Sequence, residues 1–253
     1  MGGKGSGTPG AVLTDVSIDR VGAVGSRALR GVLGRPQGEG PWPGVVIVHE
    51  AFGVDDIMRR QVQRMTDAGY LVLMPDLFSD GGARRCLVAT FRALMAGEGA
   101  AFGDIESARR HLMASDDCTG RIGVLGFCMG GGFALLTASA GFSASSVNYG
   151  RLPDDLDGAL VDACPIVGSF GGRDRSLRGA AATLTGGLER AGIAHDVKEY
   201  PDAGHSFLND APNGPRLLRP ISARVMGAGP EPASAADAWR RIEAFFAEHL
   251  GER

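Results

Sequence analysis

The chain has no apolar run long enough to span a bilayer, no cysteine pair at metal or dithiol spacing, and no excess of basic charge. The first absence argues against a helical membrane anchor, which needs about 20 consecutive apolar residues. The four cysteines, Cys86, Cys118, Cys128 and Cys164, lie far apart with no C-x-x-C among them. Neither a zinc site nor a redox dithiol is written there, so a reducing, cytoplasmic setting is expected, with no metal and no other cofactor. A formal net charge of -3, from 26 Lys and Arg against 29 Asp and Glu, supplies no basic field for a phosphate backbone. Nucleic acid is therefore not an expected partner. Residues 1–10, Met1 to Gly10, lack the apolar core of a signal peptide and are expected to form a flexible leader.

What is present is enough for one large α/β domain over residues 11–253: 253 residues, 44% hydrophobic and 22% charged. Weak alternation from Val12 to Leu33 predicts an antiparallel pair of strands at a sheet edge, followed by a turn-rich Gly34 to Gly44. Val45-Val46-Ile47-Val48 and Tyr70-Leu71-Val72-Leu73-Met74 are short β-branched and aliphatic runs of the kind a strand buried on both faces requires. Between them, Asp56 to Ala68 reads as a helix ending at Gly69, which makes a β-α-β unit. Helices follow near Cys86–Met95 and Asp104–Ala114, then a strand at Ile122–Phe127. Further strands are expected at Ala144–Tyr149, Pro165–Phe170 and Asp196–Tyr200, with a helix at about Gly179–Ala191. The chain closes on an amphipathic helix, Ala235–Leu250, with Trp239, Ile242, Phe245, Phe246 and Leu250 on its apolar side. Such alternation predicts a mostly parallel sheet with helices on both faces. Leu208 to Pro232, with five prolines, reads as a long loop near the site.

The densest chemical signal is Gly126-Phe127-Cys128-Met129-Gly130, which joins the strand to a helix of small residues. A nucleophile on so sharp a turn needs small neighbours, because strand and helix approach closely there. The helix N-terminus would aim free N–H groups and a positive dipole end at the sulfur. A structural cysteine in a Gly-rich turn is the alternative. A dinucleotide fingerprint is not, because Gly123, Gly126 and Gly130 do not fit G-x-G-x-x-G. A thiol nucleophile needs a base, and the base an orienting acid. Asp174 follows the strand ending at Phe170, and His205 follows the strand ending at Tyr200, so both fall at strand C-termini, as does Cys128. Nucleophile, acid, histidine is the chain order of α/β-hydrolases. His111 and His249 read as solvated helix residues, His195 as a surface residue, and His49 as a brace. Glu50 ends an apolar strand at the same edge, where desolvation would raise its pKa and its charge would favour a neutral thiol.

Val48-His49-Glu50-Ala51-Phe52-Gly53, Pro75-Asp76-Leu77-Phe78, Gly126-Phe127-Cys128-Met129-Gly130-Gly131 and Ala203-Gly204-His205-Ser206-Phe207, in this order and spacing, resemble the dienelactone hydrolase family. The resemblance implies the α/β-hydrolase fold and an ester or lactone hydrolase acting on a small molecule through a thioester acyl-enzyme. It implies Cys128 as nucleophile, His205 as base and Asp174 as its orienter. Glu50 would hold or take the thiol proton, and the N–H groups of Ala51 and Met129 would form the oxyanion hole. Phe52, Phe78 and Phe207 flank the motifs and are the candidates for pocket walls, with core packing the alternative. The arginines that bind a substrate carboxylate in the family's dienelactone-cleaving members have no counterpart at Ser79–Gly82 or Leu208–Asn209. Arg84 and Arg85, or an arginine from the Leu208 to Pro232 loop, are the candidates to replace them, and neutral short-chain esters or lactones are the expected substrates. The reading from another functional class is a non-hydrolytic ligand-binding or thiol redox-sensing protein that keeps the elbow.

Overall fold

The computed structural model describes residues 12–251 apart from 215, 217 and 218, so the leader expected at residues 1–10 lies outside the described residues. Eight strands form one sheet: β1 Val12–Ser17, β2 Arg30–Arg35, β3 Trp42–Val48, β4 Leu71–Pro75, β5 Cys118–Phe127, β6 Ala144–Asn148, β7 Ile166–Gly171 and β8 His195–Tyr200. Their order is β1-β2-β4-β3-β5-β6-β7-β8. β1 pairs antiparallel with β2, and β2 antiparallel with β4. From β4 to β8 every pairing is parallel. The expected antiparallel pair and the expected parallel core are both present.

Period-two alternation divides the core between two helix layers. Val45, Ile47, Val72 and Met74 face one side and pack with α1 (Asp56–Asp67) and α8 (Pro232–Leu250). Val46, Val48, Leu71 and Leu73 face the other side. There they meet α2 (Ala83–Ala96), α3 (Ala100–Met113), α4 (Met129–Leu136), α5 (Leu156–Ala159) and α6 (Ala180–Ala191). Asp55 caps α1 by accepting the Met58 N–H at 2.9 Å. All five apolar residues expected on α8 are buried, and each contributes roughly 1.5–3 kcal/mol by leaving water. No helix among the described residues is long and apolar enough to cross a membrane.

The structure corrects two boundaries. Gly34 and Arg35 belong to β2, and Trp42 to Gly44 to β3, so the turn is confined to the residues between them. Gly34 is required by packing: a Cβ there would meet Thr66 Oγ1 of α1 at 2.1 Å. The segment expected as loop from Leu208 to Pro232 contains a helix, α7 Arg219–Met226, with Pro220 in its first turn, where no intrahelical N–H is lost.

Candidate active site

Cys128 sits between β5 and α4 with φ 54° and ψ -116°, a conformation a residue with a side chain adopts at a cost of about 1–3 kcal/mol. Neighbouring contacts hold it there. The Cys128 N–H donates to Asn148 O at 3.1 Å, and its carbonyl accepts the Gly131 N–H at 3.0 Å. The two flanking glycines admit no substitute: a Cβ on Gly126 would lie 1.9 Å from Gly130 O, and one on Gly130 would lie 2.0 Å from Val48 O. The elbow therefore exists because strand, turn and helix backbones touch. The sulfur is left half-buried at the floor of a cavity.

β7 and β8 deliver the other two groups. Asp174 is buried directly after β7 and caps a short 3-10 turn, Arg175–Leu177, its Oδ1 accepting from Ser176 N at 3.0 Å and Ser176 Oγ at 2.6 Å. His205 Nδ1 stands 2.5 Å from Asp174 Oδ2. An ionised carboxylate can only accept, so the proton is on Nδ1 and the ring presents Nε2 to Cys128, its other hydrogen-bond partner. Burial works against a charge on His205, but the Cys128 thiolate and the Asp174 hydrogen bond outweigh it and raise the pKa to about 10. Burial likewise works against the Asp174 carboxylate, and its bonds from His205 and Ser176 reverse the sign and hold its pKa below the ordinary value. The three sequence-predicted residues thus form one continuous chain of contacts.

Glu50 lies at the end of β3, 2% exposed. Its carboxyl accepts from Tyr149 Oη at 3.3 Å, from Asn209 Nδ2 at 3.1 Å, and from Asn213 Nδ2. Burial raises its pKa, against the opposing charge of His205 and the amide hydrogen bonds. The structure brings Glu50 to Tyr149 and the two asparagines rather than into a hydrogen bond with Cys128. Tyr149 is the residue between them: its hydroxyl feels the charge of both, and its pKa stands well above the ordinary value through burial first and these two charges next. The Ala51 and Met129 N–H groups have no hydrogen-bond acceptor among the described residues, and both residues line the cavity beside Cys128.

The cavity has a volume of about 530 Å³. Its walls are mainly apolar, from Phe52, Phe91, Leu94, Met95, Leu177 and Met226, and beside His205 they include two arginines, Arg151 and Arg219. Of the three phenylalanines expected as walls, Phe52 lines it. Phe78 and Phe207 do not: Phe78 packs edge-on against His49 at 4.9 Å between ring centroids, and Phe207 against Tyr149 and Tyr200 at 5.8 and 5.1 Å. Both are buried in the core, Phe78 on one side of the sheet and Phe207 on the other. Arg84 and Arg85 are exposed on α2 and do not line the cavity. His111, His195 and His249 do not line it either, and His49 is fully buried behind it. Sequence reasoning missed Tyr149, Arg151, Asn209 and Asn213, and pointed to Arg219 only as an arginine of the Leu208 to Pro232 loop. Tyr149 and Arg151 follow β6, whose C-terminus reaches the same sheet edge as those of β5 and β7. Among the described residues, no group of three His, Cys, Asp or Glu side chains is placed to hold a metal.

The segment after His205 roofs the cavity. Asn213, Gly214, Arg219, Met226 and Ala228 all line it, and Arg219 Nε donates to Gly214 O at 3.0 Å.

The model of the dienelactone hydrolase family matches residues 29–250. A carboxymethylenebutenolidase of Rhodococcus opacus is 30% identical over 222 residues, covering 81% of each chain. One from Pseudomonas putida is 29% identical over 194 residues, 72% of this chain and 82% of that one. The crystal structure of a dienelactone hydrolase from Anabaena variabilis superimposes with a TM-score of 0.66 at 20% identity, covering 95% of this chain and 99% of that one, a likeness of fold. The chain belongs to the dienelactone hydrolase family, and its class is that of the carboxylic ester and lactone hydrolases.

Proposed function

We propose that the chain hydrolyses esters or lactones through a thioester on Cys128. The observation that carries this reading is the unbroken contact chain Asp174–His205–Cys128 beneath a cavity that also presents the acceptor-free N–H groups of Ala51 and Met129. The thiolate adds to the carbonyl carbon, and the carbonyl electron pair moves to oxygen, where the two N–H groups stabilise it. Collapse of that intermediate expels the alkoxide, which takes the proton from His205 Nε2 and leaves the acyl group on sulfur. Water then gives a proton to Nε2 as it attacks the thioester, and the acid departs as the thiolate–imidazolium pair is restored. Asp174 keeps the imidazole in the tautomer both steps need.

Glu50 acts on the resting Cys128–His205 pair electrostatically, through the Tyr149 hydroxyl on one side and the opposing charge of His205 on the other. The cavity walls point to a substrate with an apolar body. Arg151, which also lines the cavity, favours an anionic group on that substrate over the neutral esters expected. Four free cysteines are consistent with a reducing, cytoplasmic setting. The test is direct. Cys128→Ala should abolish turnover of an aryl acetate while leaving the circular dichroism spectrum unchanged, and iodoacetamide should inactivate the wild type by labelling Cys128. Turnover retained in Cys128→Ala overturns the reading.

A further inference from the structure

His49 is fully buried, and no step of the chemistry above uses it. Its two ring nitrogens are nevertheless both engaged. The Leu77 N–H lies 3.1 Å from Nε2, and Glu50 O lies 2.7 Å from Nδ1. A backbone N–H can only donate, so Nε2 must offer its lone pair and the ring proton must be on Nδ1, directed at the Glu50 carbonyl. The alternative tautomer, with Nε2–H toward the Asp76 carboxylate 4.0 Å away, would set two donors against each other. Burial lowers the His49 pKa, against the Glu50 carbonyl and Asp76, so the ring is neutral and holds this one tautomer. The Phe78 ring, edge-on at 4.9 Å, fixes its plane.

The Glu50 carbonyl is one end of the peptide unit whose other end is the Ala51 N–H. That peptide is trans, since the only cis bond among the described residues is Gly40–Pro41. In a trans peptide C=O and N–H point in opposite directions in one plane, so whatever fixes the carbonyl aims the N–H. The carbonyl receives two donors, His49 Nδ1–H and the Gly53 N–H at 3.1 Å, and Glu50 itself does not line the cavity. Ala51 lines the cavity beside Cys128. Hydrogen bonds to the carbonyl also polarise the peptide and strengthen the N–H as a donor.

We infer that His49 is a positioning residue, which through the Glu50 carbonyl aims and polarises the Ala51 N–H as an oxyanion donor. This rests on the acyl-transfer reading above. The chain of causes runs from Phe78, which orients the ring, through His49 and the Glu50–Ala51 peptide, to the developing oxyanion. It also explains why Phe78 belongs to the motif without touching the cavity.

Two substitutions separate positioning from mere structure. His49→Asn keeps an amide donor near the place of Nδ1 and loses the group at Nε2, whereas His49→Gln keeps a polar group near Nε2 and loses the donor to Glu50 O. Each breaks one buried hydrogen bond, so a structural role predicts equal damage. Positioning predicts that His49→Gln lowers kcat for p-nitrophenyl acetate by roughly tenfold to hundredfold, within the effect of losing an oxyanion donor outright, while His49→Asn stays within about threefold of wild type. Alkylation of Cys128 by iodoacetamide, a displacement at saturated carbon that forms no oxyanion, should proceed at the wild-type rate in both. Equal losses in the two variants, full activity in His49→Gln, or alkylation falling in step with kcat would each overturn the inference. If the His49 variants do not fold, Phe78→Leu, which removes the ring contact and keeps the core apolar, should lower kcat severalfold with alkylation unchanged. An unchanged kcat there counts against it. Cys128→Ala in the same assay tests the acyl-transfer reading separately: turnover retained there defeats that reading whatever the His49 variants do.

Discussion

Burying a carboxyl as completely as Glu50 is buried costs folding free energy, and the three hydrogen bonds it accepts offset only part of that cost. Its pKa is raised above the ordinary 4.5, so the folded protein holds this proton to higher pH than the unfolded chain does. The sign follows: stability from this group is greatest below pH 4.5 and declines as the pH rises through the raised folded value. Glu50→Gln removes that dependence. The melting temperature of the variant relative to wild type should therefore climb as the pH is raised from 4.5, while its turnover falls; a constant difference across that range would show that the carboxyl does not titrate abnormally. The His205–Asp174 pair has another signature. His205 is raised to about 10, so its contribution to stability is fully present below its ordinary 6.5 and is lost as the pH rises through about 10. Asp174→Asn should take away the part of this contribution that Asp174 supplies beside Cys128, and lower kcat by roughly a thousandfold or more, since the imidazole is then free to adopt the wrong tautomer. Thermal melts and steady-state rates between pH 6 and 10 check both halves, using the range bounded by the ordinary and raised values.

Among the elements, the elbow between β5 and α4 is the one whose sequence is dictated most tightly. Gly126→Ala would place a methyl 1.9 Å from Gly130 O, a contact only backbone movement can relieve, so soluble folded protein should be lost. Gly186→Ala, at a helical position in α6 where the new methyl meets only Arg190 at 3.4 Å, should instead raise stability by about 0.5–1 kcal/mol, read as a higher melting temperature. This contrast also accounts for what could be read in advance. Apolar runs such as Val45–Val48 declare a buried strand, and Cys128, Asp174 and His205 declare themselves by standing where such strands end. α7 was hidden because five prolines between Leu208 and Pro232 read as loop, although a proline in a helix's first turn costs nothing. The direction of a side chain on a tight turn was equally hidden. Nothing local distinguishes Phe52, which reaches the cavity, from Phe78, buried in the layer of α2, α3 and α4, and Phe207, buried in the layer of α8.

At the scale of the whole molecule, the cavity is assembled from segments far apart in the chain: the end of β3, helix α2, the elbow, the end of β6, and the roof from Asn213 to Ala228. Its arginines, Arg151 and Arg219, come from two of these segments, which is why motif spacing alone could not find them. If they bind an anionic group, kcat/KM for an aryl ester carrying a carboxylate should exceed that for its neutral analogue. Arg151→Ala should narrow the ratio by roughly tenfold, the effect of about 1.4 kcal/mol lost from one charge-assisted contact, and should leave the neutral ester nearly untouched. A ratio unchanged by that substitution would assign the specificity to other groups. The central claim is the covalent thioester. Wild-type protein should be mixed with p-nitrophenyl acetate, quenched in acid during turnover, and the peptide containing Cys128 examined by mass spectrometry. The account predicts a single acetyl group on Cys128 that disappears once the ester is consumed; turnover with Cys128 unmodified throughout and an acetyl group on no other residue would contradict it.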